Sequence, residues 1–160
     1  MNKKRGQAWG FDLIIGSILF AIGVIGFYFF AINSQQEQYD KLEELNYAAT
    51  SLADTLLSEG LPNEWDSDNV VRIGITSNSK INQTKLERLY NLSLQNYEIT
   101  KNKFNIIKEY YIIFKDPFKI NDIDISSIGK NPQNQNNMIK QTRLSVYKDR
   151  PITIEVYIWD

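Results

Sequence analysis

The sequence of 160 residues contains no cysteine and no histidine. The lack of cysteine excludes disulfide bridges and thiolate chemistry, and the lack of both excludes Cys/His zinc sites and Ser–His or Cys–His nucleophile pairs. Neither sign of charge is in large excess, because 18 basic side chains stand against 19 acidic ones. Proteins that bind nucleic acid normally carry a basic surplus on one face, so this balance argues against such a partner.

Motifs for enzyme chemistry are also lacking. The sequence contains no Gly-rich phosphate loop and no nucleophile motif, so we expect no catalytic site and no cofactor. Asp122, Asp124 and Ser126 have the alternate spacing of a calcium loop, but the glycine and glutamate that such a loop needs are replaced by Ser127 and Gln133. The pair Asp66 and Asp68 is an equally weak signal. We therefore read these carboxylates as turn and strand-edge residues, and we expect no metal site.

The most informative feature that is present is a single long apolar run. Residues 13–32 carry no charge, and a helix of that length spans roughly 30 Å, the thickness of the hydrocarbon core of a bilayer. The run is apolar on every side, which predicts a membrane helix rather than an amphipathic core helix. Lys3, Lys4 and Arg5 precede it, and the positive-inside rule then predicts a single-pass protein of the cell membrane, with its N-terminus in the cytoplasm and the rest outside.

Two simpler interpretations of this run compete with a more specific one. Ala21-Ile22-Gly23 offers the small-x-small site of a cleaved secretory signal. Cleavage there would leave the apolar residues 24–30 as the new N-terminus, which disfavours this interpretation. An ordinary signal anchor remains an open alternative.

Residues within and beside the run indicate more than an anchor. Asp12 is the only charged residue between Arg5 and Glu37, and an ionisable group near a membrane boundary is costly unless another group pairs with it. Ser17 and Ala21 have the spacing at which small residues let two membrane helices approach closely.

Residues 3–20, KKRGQAWGFDLIIGSILF, resemble the class III signal peptide of type IV pilin-like proteins, especially archaeal ones. The shared features are a short basic leader, a glycine, and then an apolar helix that bears an acid. The resemblance implies that a prepilin peptidase cuts between Gly6 and Gln7, on the cytoplasmic side. It also implies that the helix first anchors the chain and later packs, in a cell-surface filament, against copies of itself or other pilin-like subunits.

The resemblance gives Asp12 the role of pairing with an N-terminal amine, its own or a neighbour's, during assembly. In the family the acid usually stands at the fifth position after the cut, whereas a cut at Gly6 places Asp12 at the sixth. A cut between Gly10 and Phe11 is the alternative, and it would place the acid at the second position. We favour Gly6 and keep both sites open.

A second helical pattern follows the apolar run directly. No proline or glycine occurs from Asn33 to Ser58, and Gly60 and Pro62 then predict a C′ glycine and a stop, so that the helix continues to Glu59. The apolar residues recur at spacings of three and four, which predicts one buried stripe; they are Tyr39, Leu42, Leu45, Ala49, Leu52, Ala53 and Leu56.

The remaining sequence, residues 60–160, predicts an α+β head with an antiparallel sheet. The first predicted elements are a strand at Val70–Thr76, a turn at Ser77–Lys80, and a helix that is capped by Asn82 and runs through Ser93, with Tyr97 and Phe104 continuing it less regularly. A strand at Glu109–Lys115 follows and is ended by Asp116-Pro117, and an Asn/Gln-rich loop lies within residues 121–138. The last elements are strands at Arg143–Lys148 and Ile152–Trp159, joined by a hairpin at Lys148–Pro151. The alternating pattern of the last two strands predicts that six residues share one face, namely Leu144, Val146, Ile152, Ile154, Val156 and Ile158.

The head also resembles a recurrent archaeal pilin-like pattern. The segment from Gly60 to Leu89 matches its Gly-x-Pro-x-x-Trp, strand, Asn-x-x-Lys-Leu layout. The fold class that follows is α+β and pilin-like, with a long N-terminal helix, half membrane and half amphipathic, packed on an antiparallel sheet. The expected division is a leader at residues 1–6, an assembly helix at 7–32, a stalk helix at 33–59 and a head at 60–160.

Two Asn-x-Ser/Thr sequons lie in the part expected outside the cell, at Asn82 and Asn91, and they are candidate N-glycosylation sites. Two functions remain for the whole chain. The first is a structural subunit, major or minor, of a type IV pilus-like filament. The second is a membrane-anchored extracytoplasmic binding domain that does not polymerise.

Overall fold

The computed structural model of the chain describes residues 4–133, 135 and 137–160, and the side chains of residues 4–9 and 33–38 are outside the description. The chain forms two compact units, Met1–Lys41 and Leu42–Asp160. Helix α1 (Lys4–Leu56) begins in the first unit and ends in the second. Within the first unit, Gly10–Ile32 is long and apolar enough to cross a membrane, which agrees with the predicted membrane helix in length and composition.

The second unit is an α+β fold, as predicted. A four-stranded antiparallel sheet has the order β4-β3-β6-β5, and a separate short hairpin pairs β1 with β2. After α1 the elements are β1 (Thr76–Ser77), β2 (Lys80–Ile81), α2 (Gln83–Gln95), α3 (Tyr97–Lys103), β3 (Glu109–Ile120), β4 (Ile123–Gly129), β5 (Met138–Tyr147) and β6 (Arg150–Trp159).

The core lies between the last turns of α1 and one face of the sheet. The part of the predicted stripe from Leu45 to Leu56 has no exposed surface, whereas Tyr39 and Leu42 are exposed. The buried stripe joins one cluster with even-numbered residues of the two central strands, which are Tyr110, Ile112, Phe114, Phe118, Ile120, Ile152, Ile154, Val156 and Ile158. Each aliphatic side chain of this interface contributes about 1.5–3 kcal/mol by leaving water, so the interface stabilises the unit substantially.

Helix α1 ends at Leu56 rather than at Glu59, and the predicted strand Val70–Thr76 is wrong except at Thr76, where β1 begins. The backbone N–H of Ile75 donates to the carbonyl of Leu56 at 2.8 Å, and that of Thr76 donates to Ser58 at 3.0 Å. The segment is therefore held against the end of the helix, whose last carbonyls need donors. Its apolar residues reflect burial in that position, not pairing in the sheet.

Strand β3 continues through Asp116 and Pro117 to Ile120, although the proline was expected to end it. The pairing with β4 shifts register between Ile113 and Phe118, and such an irregularity is where a strand accommodates a proline. Strand β4 was not predicted; the Asn/Gln-rich loop is confined to the residues after Gly129. Asn121 and Asp122 join β3 to β4 with φ values of 49° and 67°, the positive pair typical of a type I′ hairpin turn.

The last hairpin has a two-residue turn at Lys148 and Asp149, instead of the predicted four residues, and both of its strands are longer than expected. This turn places Leu144 opposite Thr153. Residues opposite each other share a face, so Leu144 and Val146 lie on the face away from Ile152 and Ile154, and the prediction of a common face is wrong. Leu144 is accordingly 75% exposed.

The helical prediction after residue 82 is confirmed at its start and corrected at its end. The side-chain oxygen of Asn82 accepts a hydrogen bond from the N–H of Lys85 at 3.2 Å, so Asn82 is the N-cap of α2. Tyr97 does not continue this helix. It begins α3, which has its own N-cap at Asn96.

Candidate functional site

The apolar segment Gly10–Ile32 has no buried residue. The window that qualifies it as a membrane span has none of its residues buried. Its aromatic side chains are among the most exposed, with Phe20, Phe27 and Phe30 at 72–74%. A helix that is apolar on every side needs either lipid or other helices around it, because water is an unfavourable neighbour for all of its faces.

Small residues along this segment leave room for a second helix. A Cβ built at Gly16, Gly23 or Gly26 would meet no other heavy atom within 4 Å. The hydroxyl of Ser17 donates to the carbonyl of Leu13 at 2.8 Å, which satisfies this polar group inside the helix, as a low-dielectric environment requires. The segment thus combines apolar surface, close-approach positions and a serine whose hydroxyl is satisfied within the helix.

The sequence-predicted processing and assembly residues fall at the start of this segment. Asp12 is exposed on α1, and within the described part of the chain no cationic group pairs with it. Gly10 and Phe11, the alternative cut site, are also exposed. Gly6 and Gln7, the favoured cut site, belong to the helical backbone of α1, and their surroundings lie outside the described residues.

The two sequons have different environments. Asn82 is partly buried, and its side-chain nitrogen donates to the hydroxyl of Ser77 at 3.3 Å while its oxygen caps α2. Asn91 is exposed in the interior of α2. Of the two amide nitrogens, that of Asn91 is the more accessible to modification in the folded chain.

The acidic residues that were weighed as metal ligands have local roles. The Asp66 side chain accepts backbone N–H groups from Asp68 at 2.9 Å and Asn69 at 3.0 Å, which is the geometry of an Asx-type turn. Asp122 forms a hairpin turn, and Asp124 is 3.9 Å from Lys119. Among the described residues, no group of three or more His, Cys, Asp or Glu side chains could hold a metal ion.

A buried lysine is the feature that sequence reasoning missed. The ammonium of Lys85, which is 1% exposed, donates to the backbone carbonyls of Glu59 at 2.8 Å and Thr76 at 2.9 Å and to the side-chain oxygen of Asn63 at 2.9 Å. A lysine can be buried when all three of its donors are satisfied in this way. The sequence signal was its place in the Asn-x-x-Lys-Leu pattern, as the fourth residue counted from the N-cap, but nothing in that pattern indicated burial.

Lys85 is part of a dense group at the end of α1, which we name the helix-end cluster: Gly60, Trp65, Gly74 and Lys85. The buried indole N–H of Trp65 donates to the carbonyl of Gly74 at 2.7 Å. A Cβ at Gly74 would be 2.3 Å from the nitrogen of Gly60, and a Cβ at Gly60 would be 2.6 Å from the Trp65 ring. These positions therefore permit no side chain, and together they fix the chain where it leaves α1.

Two carboxylates of the sheet are each held by two lysines. Glu155 pairs with Lys115 at 3.0 Å and Lys140 at 3.4 Å, and the hydrogen bond from Lys115 lowers the pKa of Glu155. For Glu109, burial raises the pKa, but the hydrogen bonds from Lys101 and Lys130 outweigh it and the net pKa is lowered. These ion pairs stabilise the unit in the ionised state.

The chain was compared with protein-family models, curated proteins and solved structures, and none of them matches it. We therefore infer the function from the geometry of the chain itself.

Proposed function

We propose that this chain is a type IV pilin-like subunit. In this proposal a prepilin peptidase removes the leader between Gly6 and Gln7, the apolar helix holds the subunit in the cell membrane, and the same helix then packs against other pilin-like subunits in a surface filament. The observation that carries the proposal is helix α1, in which Gly10–Ile32 is apolar and has no buried residue, while the stripe from Leu45 to Leu56 forms part of the core of an α+β unit.

Energetics support assembly through this helix. Outside a bilayer, each large apolar side chain of Gly10–Ile32 that remains in water forgoes about 1.5–3 kcal/mol of burial. Neighbouring copies of the same helix would remove that surface from water, and the open positions at Gly16, Gly23 and Gly26 allow the close approach that this packing needs. A neighbouring subunit could also supply the cationic partner for Asp12.

The alternative function is a single-pass anchored binding domain that does not polymerise. It uses the same helix, with lipid as its permanent surroundings. Filament assembly distinguishes the two functions. If the chain is a filament subunit, surface material sheared from cells contains it in helical filaments; if the chain is only an anchored domain, the sheared material lacks it.

The first experiment is the N-terminal sequence of the protein purified from its native membrane. We expect Gln7 as the first residue, and a chain that retains Met1 would overturn the proposal. The variant Gly6→Val should keep the leader, because a bulky side chain then occupies the position before the cut.

The matched control is Gly10→Val, which places the same change at the alternative site. It should leave cleavage after Gly6 unaffected. If Gly6→Val is cleaved and Gly10→Val is not, the cut lies between Gly10 and Phe11. If both variants are cleaved, neither glycine directs the peptidase.

A further inference from the structure

The central ladder of the sheet opens at one end. The pairing of β3 with β6 runs from Glu109 and Trp159 to Phe114 and Ile154 and stops there, although β3 continues to Ile120 and β6 begins at Arg150. Beyond that point β3 pairs only with β4 and β6 only with β5. Between the diverging ends lies a cleft of about 670 Å³, within the usual size range of small-ligand sites.

One side chain ties the two walls of this cleft together. The amide nitrogen of Gln83, at the start of α2, donates to the carbonyl of Lys119 on β3 at 2.7 Å. The amide oxygen of the same side chain accepts from the hydroxyl of Tyr147 on β5. The separation of the walls is therefore set by the fold, and a ligand would meet a preformed site.

The walls carry an excess of positive charge. Lys119 lies on the β3 wall, Lys148 and Arg150 lie on the opposite wall, and Asp116 is the one carboxylate among the lining residues. Lys119 is 3.9 Å from Asp124, but both side chains are more than 60% exposed, so this pairing is weak.

The two cations of the opposite wall have no acidic partner within the described ranges of the chain. The Lys148 ammonium lies 5.0 Å from the centre of the Tyr147 ring, and in the described parts of the chain no carboxylate forms an ion pair with Lys148 or Arg150. A ligand with anionic groups on two sides could reach cations on both walls.

The edges of the cleft do not suit an added peptide strand. Pro117 on one wall and Pro151 on the other have no backbone N–H, so each edge lacks a donor that strand addition requires. The exposed prolines and the half-buried ring of Tyr147 instead offer apolar surface beside the cations. Sugar rings have flat C–H faces that pack on such surface, and their polar rims can bear carboxylates or sulfates.

We propose that this cleft binds a short acidic oligosaccharide, with its anionic groups placed between Lys119 and the Lys148–Arg150 wall. The site lies wholly within Leu42–Asp160, so the proposal stands independently of cleavage and filament assembly.

The test is isothermal titration calorimetry on the full-length chain in a neutral detergent. The ligands are trigalacturonic acid, a sulfated chondroitin disaccharide, neutral maltotriose and inorganic sulfate. We expect at least one acidic saccharide to bind at least tenfold more tightly than maltotriose and than sulfate. The stronger of the two acidic ligands identifies the anionic group as carboxylate or sulfate.

Variants on both walls locate the site. Arg150→Gln and Lys119→Gln should each raise the Kd about tenfold, the loss expected for one charge-assisted hydrogen bond. Arg72→Gln removes an exposed arginine outside the cleft and should leave the Kd within about twofold. Thermal unfolding of each variant verifies that the fold is intact.

Several results would overturn the proposal. They are the absence of acidic-saccharide binding at millimolar concentration, equal affinity for maltotriose or for inorganic sulfate, and an effect of Arg72→Gln as large as that of both cleft variants. Because both cleft residues are exposed, their loss should not unfold the chain.

Discussion

The apolar residues of Gly10–Ile32 and those of Leu42–Asp160 have opposite environments in one chain. In the first segment Leu19 is 64% exposed, and in the second Leu52, on the same helix, has no exposed surface. The periodicity of the sequence accounts for the difference. The first segment is apolar on every face, while the turns from Leu45 to Leu56 place their aliphatic residues mainly on one stripe that the sheet can cover. One helix is thus built for two kinds of surroundings.

The largest expected effect comes from deleting the apolar segment altogether. A chain that begins at Asn33 should move completely from the membrane fraction to the soluble fraction, because the described core begins at Leu45. Its thermal midpoint should stay within a few degrees of that of the full-length chain in detergent. Fractionation and circular dichroism measure both, and loss of cooperative unfolding would show that the two segments are not independent.

Two identical substitutions test the same comparison inside the intact chain. Leu52→Ala should lower the free energy of unfolding by about 2–5 kcal/mol, because it leaves a cavity in the core. Leu19→Ala removes the same atoms from an exposed position and should leave the value unchanged. Denaturation in detergent, followed by the fluorescence of the buried Trp65 and Trp159, reports on the head. Equal effects of the two substitutions would contradict the comparison.

Substitution of Lys85 should have the next largest effect on the free energy of unfolding, and it extends the comparison of buried with exposed positions to a polar side chain. Lys85→Met keeps the length of the side chain but leaves the carbonyls of Glu59 and Thr76 and the amide of Asn63 without this donor. We expect a loss of about 3 kcal/mol in the free energy of unfolding. Lys103→Met, at a partly exposed position at the end of α3, should change the free energy of unfolding by no more than about 0.5 kcal/mol.

The smallest expected effect is a pH dependence that belongs to the head. The pKa values of Glu109 and Glu155 are lowered in the folded chain, below the usual value of about 4.3, so the unfolded chain binds more protons in that range. Their stabilisation is complete above about pH 4.3 and is lost as the pH falls through the lowered pKa values.

Urea midpoints between pH 7 and pH 3 measure this loss. Glu109→Gln and Glu155→Gln should each make the decline less steep, because each removes one titrating group. An unchanged slope in both variants would assign the acid sensitivity to other groups.

Local signals in the sequence predicted local structure well. The cap at Asn82 and the stripe from Leu45 to Leu56 are both confirmed, because a cap depends on residues three positions away and a stripe depends on helical periodicity. The antiparallel α+β fold followed from the alternation in the last strands. The cut site, the role of Asp12 and the use of the sequons stay predictions.

The predictions from sequence were wrong where residues distant in the sequence determine the local structure. The segment 70–76 has strand-like residues, but its backbone donors are taken by Leu56 and Ser58 at the end of α1. Leu144 was assigned to the wrong face because a hairpin pairs residues by the length of its turn, not by apolar character. Pro117 did not end β3, since a register shift accommodates it. The cleft depends on where the ladder of β3 and β6 stops, which no single segment encodes.

The helix-end cluster has a consequence for how this chain can diverge through evolution. In Gly10–Ile32, Leu, Ile, Val and Phe can replace one another at nearly every position without loss of apolar surface, so resemblance there fades quickly among descendants. At Gly60 and Gly74 any side chain would collide with its neighbours, and the buried side chains of Trp65 and Lys85 donate hydrogen bonds to backbone carbonyls that would lose this donor on substitution. We therefore expect distant relatives to share the spacing of these four residues long after overall identity has been lost.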